Sequence, residues 1–236
     1  MVLGQVLADA GRLRDEAVVA FDLDSTLLDN RPRQAALVHR FVRETGAAPA
    51  LAHFDARHLH TGFDMYAALE RQGLPPQAVE EFLLAFRPFW RKHFFTSEAC
   101  LADVPVRGAP DYVRRTSATG AKVAYVTARP EAMRPGTQDV LLRHGFPAPG
   151  PGVRLWMKVD PDTTDDQFKR DTHRHLAEWG RVLAAFDNEP IHANDYRASF
   201  PEATVVLLAT GHSGRLDRLA EGVVPVPHFE VGARDG

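Results

Sequence analysis

Residues 17–30 read AVVAFDLDSTLLDN, a short apolar run followed at once by acidic and hydroxyl side chains. The run Ala17 to Phe21 is partly β-branched, which is typical of a buried strand. Asp22 and Asp24 follow it two positions apart, so their side chains can lean to the same side of the chain. Two close carboxylates repel each other, and a bound divalent cation relieves that repulsion.

This carboxylate pair suits acid–base and nucleophilic chemistry. One carboxylate can act as a nucleophile while the other exchanges protons with a leaving group and with water. Ser25, Thr26 and free backbone N–H groups could hold phosphate oxygens or brace the turn. The alternative is an acidic turn that merely ends a strand, since short motifs also occur by chance.

Three more apolar runs resemble the first: Lys122 to Val126, Arg181 to Phe186 and Thr204 to Leu208. Helical patterns separate them, at Pro110 to Ser117, Gln138 to His144 and Gln167 to Trp179. Strands that alternate with helices indicate a parallel α/β sheet, and ligands bind outside the carboxyl ends of such strands. Asp22, Thr127 and Asp187 each follow a predicted strand, so we expect them to converge at that edge.

Residues 31–106 interrupt this alternation and contain no clear strand pattern. Helices are predicted at Gln34 to Glu44, Asp64 to Gln72 and Gln77 to about Phe95, with Pro88 expected to kink or split the last one. We therefore predict a Rossmann-like core formed by residues 1–30 and 107–236, with an all-helical segment, residues 31–106, inserted after the first strand. The aromatic stripe from Phe82 to Phe94 is interpreted as the core of this segment, or in part as a specificity surface.

Composition narrows the possible classes of function. The 236 residues have a net charge of −3, which does not favour a nucleic-acid partner. A single cysteine, Cys100, cannot form an internal disulfide and gives no sign of an oxidising compartment. No apolar run approaches the ~18 residues of a membrane span, and the N-terminus lacks the basic region of a secretory signal. We expect a cytoplasmic protein that does not enter a membrane.

The ordered motifs resemble those of the haloacid dehalogenase superfamily, on its phosphatase side. In that family an apolar strand precedes D-x-D-x-T, which Asp22, Asp24 and Thr26 match. A second strand ends in Thr or Ser, matched by Thr127 in VAYVTARP, and a last strand ends in acidic residues, matched by Asp187 in AAFDNEP. The matches lie outside residues 31–106, which correspond to the family's cap in position only.

The family's third motif is a lysine near the start of a helix, and two lysines are candidates. Lys169 lies at the start of a predicted helix and Lys158 just past a short strand, so Lys169 is favoured as the better-positioned residue. The fourth motif departs from its common form, because Asn188 follows Asp187 where a second acidic residue is usual. Either Asn188 or Glu189 could complete a metal shell.

The resemblance implies a mechanism. Asp22, the backbone carbonyl of Asp24 and Asp187 would hold Mg²⁺, while Thr127 and Lys169 would bind the phosphoryl oxygens. Asp22 would attack phosphorus to form an aspartyl-phosphate, with Asp24 as the general acid and base. Dehalogenases of the superfamily lack the second aspartate, so Asp24 argues for phosphoryl transfer.

The resemblance implies a small phosphorylated metabolite as substrate. A phosphomutase on the same core and a catalytically silent binding protein remain alternatives. Arg129, two residues after Thr127, could contact the substrate or pair on the surface. The sequence does not indicate an oligomeric state.

Overall fold

The computed structural model describes residues 2–215 and 218–231. Within them the strands are β1 (Ala17–Phe21), β2 (Leu28–Asp29), β3 (Val104–Pro105), β4 (Lys122–Pro130), β5 (Val153–Lys158), β6 (Arg181–Asp187), β7 (Thr204–Leu208) and β8 (Val224–Val226). The helices are α1 (Val2–Leu13), α2 (Arg31–Thr45), α3 (Met65–Arg71), α4 (Pro76–His93), α5 (Ala109–Ala118), α6 (Arg134–Arg143), α7 (Asp165–Trp179) and α8 (Pro190–Ser199).

Six strands of the described residues form one sheet in the order β5-β4-β1-β6-β7-β8, and every adjacent pair is parallel. Alternate residues of β1 enter two different apolar clusters, Val19 and Phe21 on one face and Val18 and Ala20 on the other. A strand covered on both faces must be apolar throughout, which explains the uninterrupted run in the sequence. The predicted Rossmann-like α/β core is confirmed.

Helix α1 covers one face of this sheet and was not predicted. Its buried residues Leu3, Val6, Leu7 and Ala10 recur at spacings of three and four, which is the pattern of a helix with one buried side. They belong to the same cluster as Phe21. None of the helices among the described residues combines the length and the apolar character that a membrane span requires.

The segment between β2 and β3 is helical and has its own apolar cluster, which includes Phe41, Phe82 and Phe86. Two details differ from prediction. Helix α4 continues through Pro88, so the helix is not split there, and the alternative of a kink stays a prediction. The short strand β3 pairs antiparallel with β2, within a range where no strand was predicted.

Candidate active site

Three of the predicted site residues, Asp22, Thr127 and Asp187, lie on or directly after three adjacent strands. β1 lies between β4 and β6, and Phe21 is paired with Tyr125 on one side and Phe186 on the other. Asp22 and Asp187 therefore lie beside each other at the carboxyl edge of the sheet. The Asp22 backbone N–H donates to the carbonyl of Phe186, which anchors the residue next to β6. Thr127 is buried in β4, which is longer than predicted and continues to Pro130.

Lys169 joins the two carboxylates. Its Nζ lies 2.6 Å from Asp22 Oδ1 and 2.7 Å from Asp187 Oδ2. Helix α7 brings it there from its second turn, and the Thr164 side chain caps the helix by accepting from the Gln167 N–H at 3.2 Å. Burial alone would lower the pKa of Lys169, but the two carboxylates outweigh burial and raise it well above its usual range. The side chain is therefore an ammonium ion.

Lys158, the other candidate for the phosphate-binding lysine, does not lie between Asp22 and Asp187. Its Nζ pairs with Asp165 Oδ1 at 2.7 Å, and the Asp165 side chain is largely exposed. The structure thus brings Lys169, and not Lys158, into contact with Asp22. Lys158 lies at the end of β5, at the edge of the sheet, so no neighbouring strand carries it towards the centre.

The two carboxylates differ in their electrostatic environment. Burial raises the pKa of Asp22 to about 6, with a further increase from Asp187 that only partly offsets the effect of Lys169. Burial would also raise the pKa of Asp187, but Lys169 and His192 outweigh it and leave that pKa low. With both carboxylates ionised and one ammonium, the group keeps an excess negative charge.

This excess charge suits a hard divalent cation with oxygen ligands, such as Mg²⁺. Among the described residues, no three His, Cys, Asp or Glu side chains are grouped closely enough to hold a metal ion. A cation here would rely on the two carboxylates and on neutral oxygens.

Asn188 and Glu189 differ in how far their oxygens are engaged. Glu189 Oε1 accepts from the Ser213 backbone N–H at 2.7 Å, and Oε2 accepts from the Ser213 hydroxyl at 2.9 Å. Asn188 Oδ1 accepts only a longer bond, 3.2 Å, from the Thr26 hydroxyl, while its amide nitrogen donates to the Gly211 carbonyl. The amide oxygen of Asn188 is therefore the less committed of the candidate donors.

Asp24 faces two arginines. Arg129 binds it with two hydrogen bonds, Nε to Oδ2 at 2.7 Å and Nη2 to Oδ1 at 2.8 Å, and Arg33 adds one of 3.0 Å to Oδ1. Burial would raise the pKa of Asp24, but the charges of Arg129 and Arg33 hold it well below its usual range. Asp24 is therefore ionised in this arrangement.

A second carboxylate, Asp103, completes a buried ionic cluster. It accepts from Arg33 Nε at 2.8 Å and from Arg129 Nη2 at 2.6 Å. We define the ionic cluster as Asp24, Arg33, Asp103 and Arg129. The prediction that Arg129 might pair on the surface is wrong, because its guanidinium is buried against these carboxylates.

Sequence reasoning missed Arg33 and Asp103, although a signal for Arg33 exists. Arg33, Leu37 and Phe41 are spaced four apart along α2 and all three are buried, so Arg33 continues an apolar stripe. A charged residue on such a stripe needs a partner of opposite charge. Asp103 lies in the apolar stretch ACLADVPV, which is a weaker signal.

The predicted site residues border one cavity of about 270 Å³. They are Asp22, Asp24, Thr127, Lys169 and Asp187. The opposite wall comes from the segment between β2 and β3 and is mainly aromatic, formed by Phe63, Trp90, Phe94 and Phe95. His192 lies in α8 with its Nδ1 3.5 Å from Asp187 Oδ1 and also borders the cavity. The cavity thus combines an anionic floor with an apolar wall.

No family model and no curated protein matches the chain by sequence. Solved structures do match. A candidate haloacid dehalogenase-like hydrolase from Burkholderia xenovorans is 20% identical, with a TM-score of 0.53 over 91% of this chain and 93% of that one. The Class C acid phosphatase from Bacillus anthracis is 16% identical, with a TM-score of 0.51 over 96% of this chain and 74% of that one.

A third similar structure is the Protein Tyrosine Kinase A from Mycobacterium tuberculosis, 21% identical, with a TM-score of 0.52 over 88% of this chain and 91% of that one. These names differ in activity, so the likeness describes the fold, and the chemistry must be argued from the site. The chain therefore shares the fold of these structures, one of which is a haloacid dehalogenase-like hydrolase, and this confirms the fold that the resemblance of its motifs implies.

Proposed function

We propose that the protein is a Mg²⁺-dependent phosphatase that hydrolyses a small phosphate monoester through an aspartyl-phosphate on Asp22. The observation that carries this proposal is the shared ammonium of Lys169, which lies 2.6 Å from Asp22 and 2.7 Å from Asp187 at the floor of a cavity. A nucleophilic carboxylate beside a fixed positive charge suits attack on an anionic phosphoryl group.

The residues that would hold Mg²⁺ are Asp22, Asp187 and the backbone carbonyl of Asp24, with the amide oxygen of Asn188 as a further donor. When bound, Mg²⁺ neutralises charge on the phosphoryl oxygens. Lys169 adds a second positive charge, and the buried Thr127 hydroxyl is available to bind a phosphoryl oxygen. Most of the catalytic effect would come from positioning and charge stabilisation.

In the proposed reaction a carboxylate oxygen of Asp22 forms a bond to phosphorus while the ester P–O bond breaks. The leaving oxygen keeps the bonding electron pair and takes a proton from Asp24. Water then attacks phosphorus and gives a proton to Asp24, which releases phosphate and restores the Asp22 carboxylate. Because Arg129 and Arg33 stabilise ionised Asp24, its side chain must leave them before it can carry a proton.

We further propose that residues 31–106 form a cap over the core formed by residues 1–30 and 107–236. The separate apolar cluster around Phe41, Phe82 and Phe86 supports this division. A cap at this position would exclude bulk water and large substrates. A small phosphorylated metabolite is therefore the expected substrate.

The test is phosphate release from a panel of small phosphate esters, with and without Mg²⁺. We expect Mg²⁺-dependent release by the wild type and none by Asp22→Asn, which keeps the shape of the side chain and removes the nucleophile. Asp162→Asn, an exposed loop residue, is the matched control and should behave like the wild type. Absence of release from every ester would contradict the proposal, and an isomeric sugar phosphate without free phosphate would identify a phosphomutase.

A further inference from the structure

Two of the aromatic side chains that border the cavity are unusually exposed to solvent. We define the aromatic wall as Phe63, Trp90, Phe94 and Phe95, which border the same cavity as Asp22. Phe63 is 59% exposed and Phe95 is 44% exposed, among the highest values for large apolar residues of the described chain. Exposed aromatic rings that lie together beside a catalytic carboxylate indicate a ligand surface rather than a packing defect.

Three of the four rings of the wall, Trp90, Phe94 and Phe95, are held in place by contacts with one another. Trp90 and Phe94 are stacked with centroids 4.6 Å apart, and Phe95 meets both rings edge-on at 5.5 and 5.0 Å. The Trp90 indole N–H donates to Gln34 Oε1 at 2.6 Å. A fixed aromatic surface binds a planar ring with little loss of side-chain freedom.

The four rings of the wall offer no free hydrogen-bonding group to a polar or charged leaving group, since the only polar atom among them, the Trp90 indole nitrogen, is engaged. Among the described residues of 31–106, no charged side chain borders this cavity. The polar side chain that this segment does contribute, Gln34, is already engaged at both ends, since Nε2 donates to the Gly62 carbonyl at 3.0 Å and Oε1 accepts from Trp90. The charged and other polar side chains of the cavity come from outside that segment and include Asn30, Asp165 and Arg215. A sugar hydroxyl or a second carboxylate placed against the four rings would lose water without gaining a partner.

We propose that the substrate is a small phosphate monoester whose leaving group carries a planar aromatic ring, and that this ring lies against the aromatic wall while the phosphate lies at Asp22 and Lys169. This inference rests on the proposed phosphatase function. The ring belongs either to a nucleobase or to an aryl group, because both present the same flat π-surface.

Two pairs of esters test this inference, each with the same primary alcohol at the reacting end. Adenosine 5′-monophosphate is compared with ribose 5-phosphate, and 2-phenylethyl phosphate with ethyl phosphate. We expect kcat/KM to be at least about tenfold higher for the ring-bearing member, as stacking on one aromatic side chain predicts. A preference in the first pair alone identifies a nucleobase, and a preference in both identifies any aryl ring. Equal values within each pair would overturn the inference.

Variants of the aromatic wall test whether its side chains cause the preference for ring-bearing esters. Phe63→Leu and Phe95→Leu should each reduce the ratio of kcat/KM between ring-bearing and ring-free esters several-fold. Tyr66→Leu changes another half-exposed aromatic residue of the same segment, one that does not border the cavity, and should keep the ratio of the wild type. If the Phe63 and Phe95 variants kept that ratio as well, the wall would not be the binding surface.

A binding measurement separates this inference from the phosphatase proposal. Calorimetric titration of Asp22→Asn with the two members of the first pair needs no turnover. If adenosine 5′-monophosphate bound more tightly than ribose 5-phosphate but the wild type hydrolysed none of the esters, the phosphatase proposal would be contradicted. The aromatic site would still be supported. Hydrolysis of esters with no difference in Kd, or binding of neither ligand, would overturn the aromatic site.

Discussion

At the scale of single residues, the site depends on one cation between two anions. The Lys169 ammonium is 2% exposed and bonded to both Asp22 and Asp187, so its removal would leave two buried carboxylates facing each other. An uncompensated buried charge is far more costly than a missing surface charge. Lys158, whose partner Asp165 is largely exposed, provides a matched comparison within the same chain.

We therefore expect Lys169→Met to destabilise the fold by about 3–5 kcal/mol and to reduce phosphate release by about 10²–10³-fold, the usual loss for a removed charge-stabilising group. Lys158→Met should change stability by less than about 1 kcal/mol, because its partner Asp165 is largely exposed and stays hydrated when the lysine is removed. Urea denaturation and phosphate release measure the two effects. Equal losses in both variants would contradict the assignment of Lys169.

At the scale of elements, helix α4 serves two surfaces. Phe86 is 2% exposed and packs with Phe41 and Phe82, whose ring centroids lie 5.4 and 5.3 Å away. Trp90, one turn later, borders the cavity instead. The helix thus stabilises its segment with one part of its aromatic stripe and shapes the site with another. The interpretation of that stripe as the core of its segment is confirmed for Phe82 and Phe86, and the specificity surface stays a prediction.

The two sides of α4 should respond very differently to truncation. Phe86→Ala should reduce the free energy of unfolding by about 3–5 kcal/mol, because a large buried ring is removed. Leu84→Ala, at a position that is 75% exposed on the same helix, should change it by less than about 0.5 kcal/mol. Denaturation in urea gives both values. A comparable loss at Leu84 would mean that this face is covered in solution.

At the scale of the whole molecule, the ionic cluster links distant parts of the chain. Arg33 comes from α2, Asp103 immediately precedes β3, Arg129 belongs to β4, and Asp24 follows β1. The four side chains carry two positive and two negative charges, so the cluster is balanced as it stands. Removing one member leaves an unpaired charge in a buried position.

Charge balance predicts the outcome of a double-mutant cycle. Arg33→Met and Asp103→Asn should each destabilise the protein by about 3–5 kcal/mol. The double variant restores a balance of one arginine to one aspartate, so its loss should be smaller than the sum of the single losses by about 0.5–3 kcal/mol. Arg57→Met, which breaks an exposed pair with Asp55, is the control and should have little effect. Additive losses would show that the cluster is not coupled.

Much of the core could be predicted from sequence because its signals are local. The run AVVAF is apolar at every position since β1 is covered on both faces, and its bounds Ala17–Phe21 match the structure. Strand β7 also has its predicted bounds, Thr204–Leu208. Helix α1 was not predicted, although its buried residues Leu3, Val6, Leu7 and Ala10 follow a helical spacing.

Sequence by itself determined the parallel sheet, the helical segment after the first strand and the placement of Asp22, Thr127 and Asp187 towards the carboxyl edge, because apolar periodicity and chain order decide which residues lie there. Tertiary structure alone decided which lysine reaches Asp22 and which groups surround Asp24. Arg33 and Asp103 are 70 positions apart along the chain. Contacts of this kind depend on how helices pack on the sheet, and Coulomb and desolvation energies depend on the resulting distance and burial rather than on order along the chain.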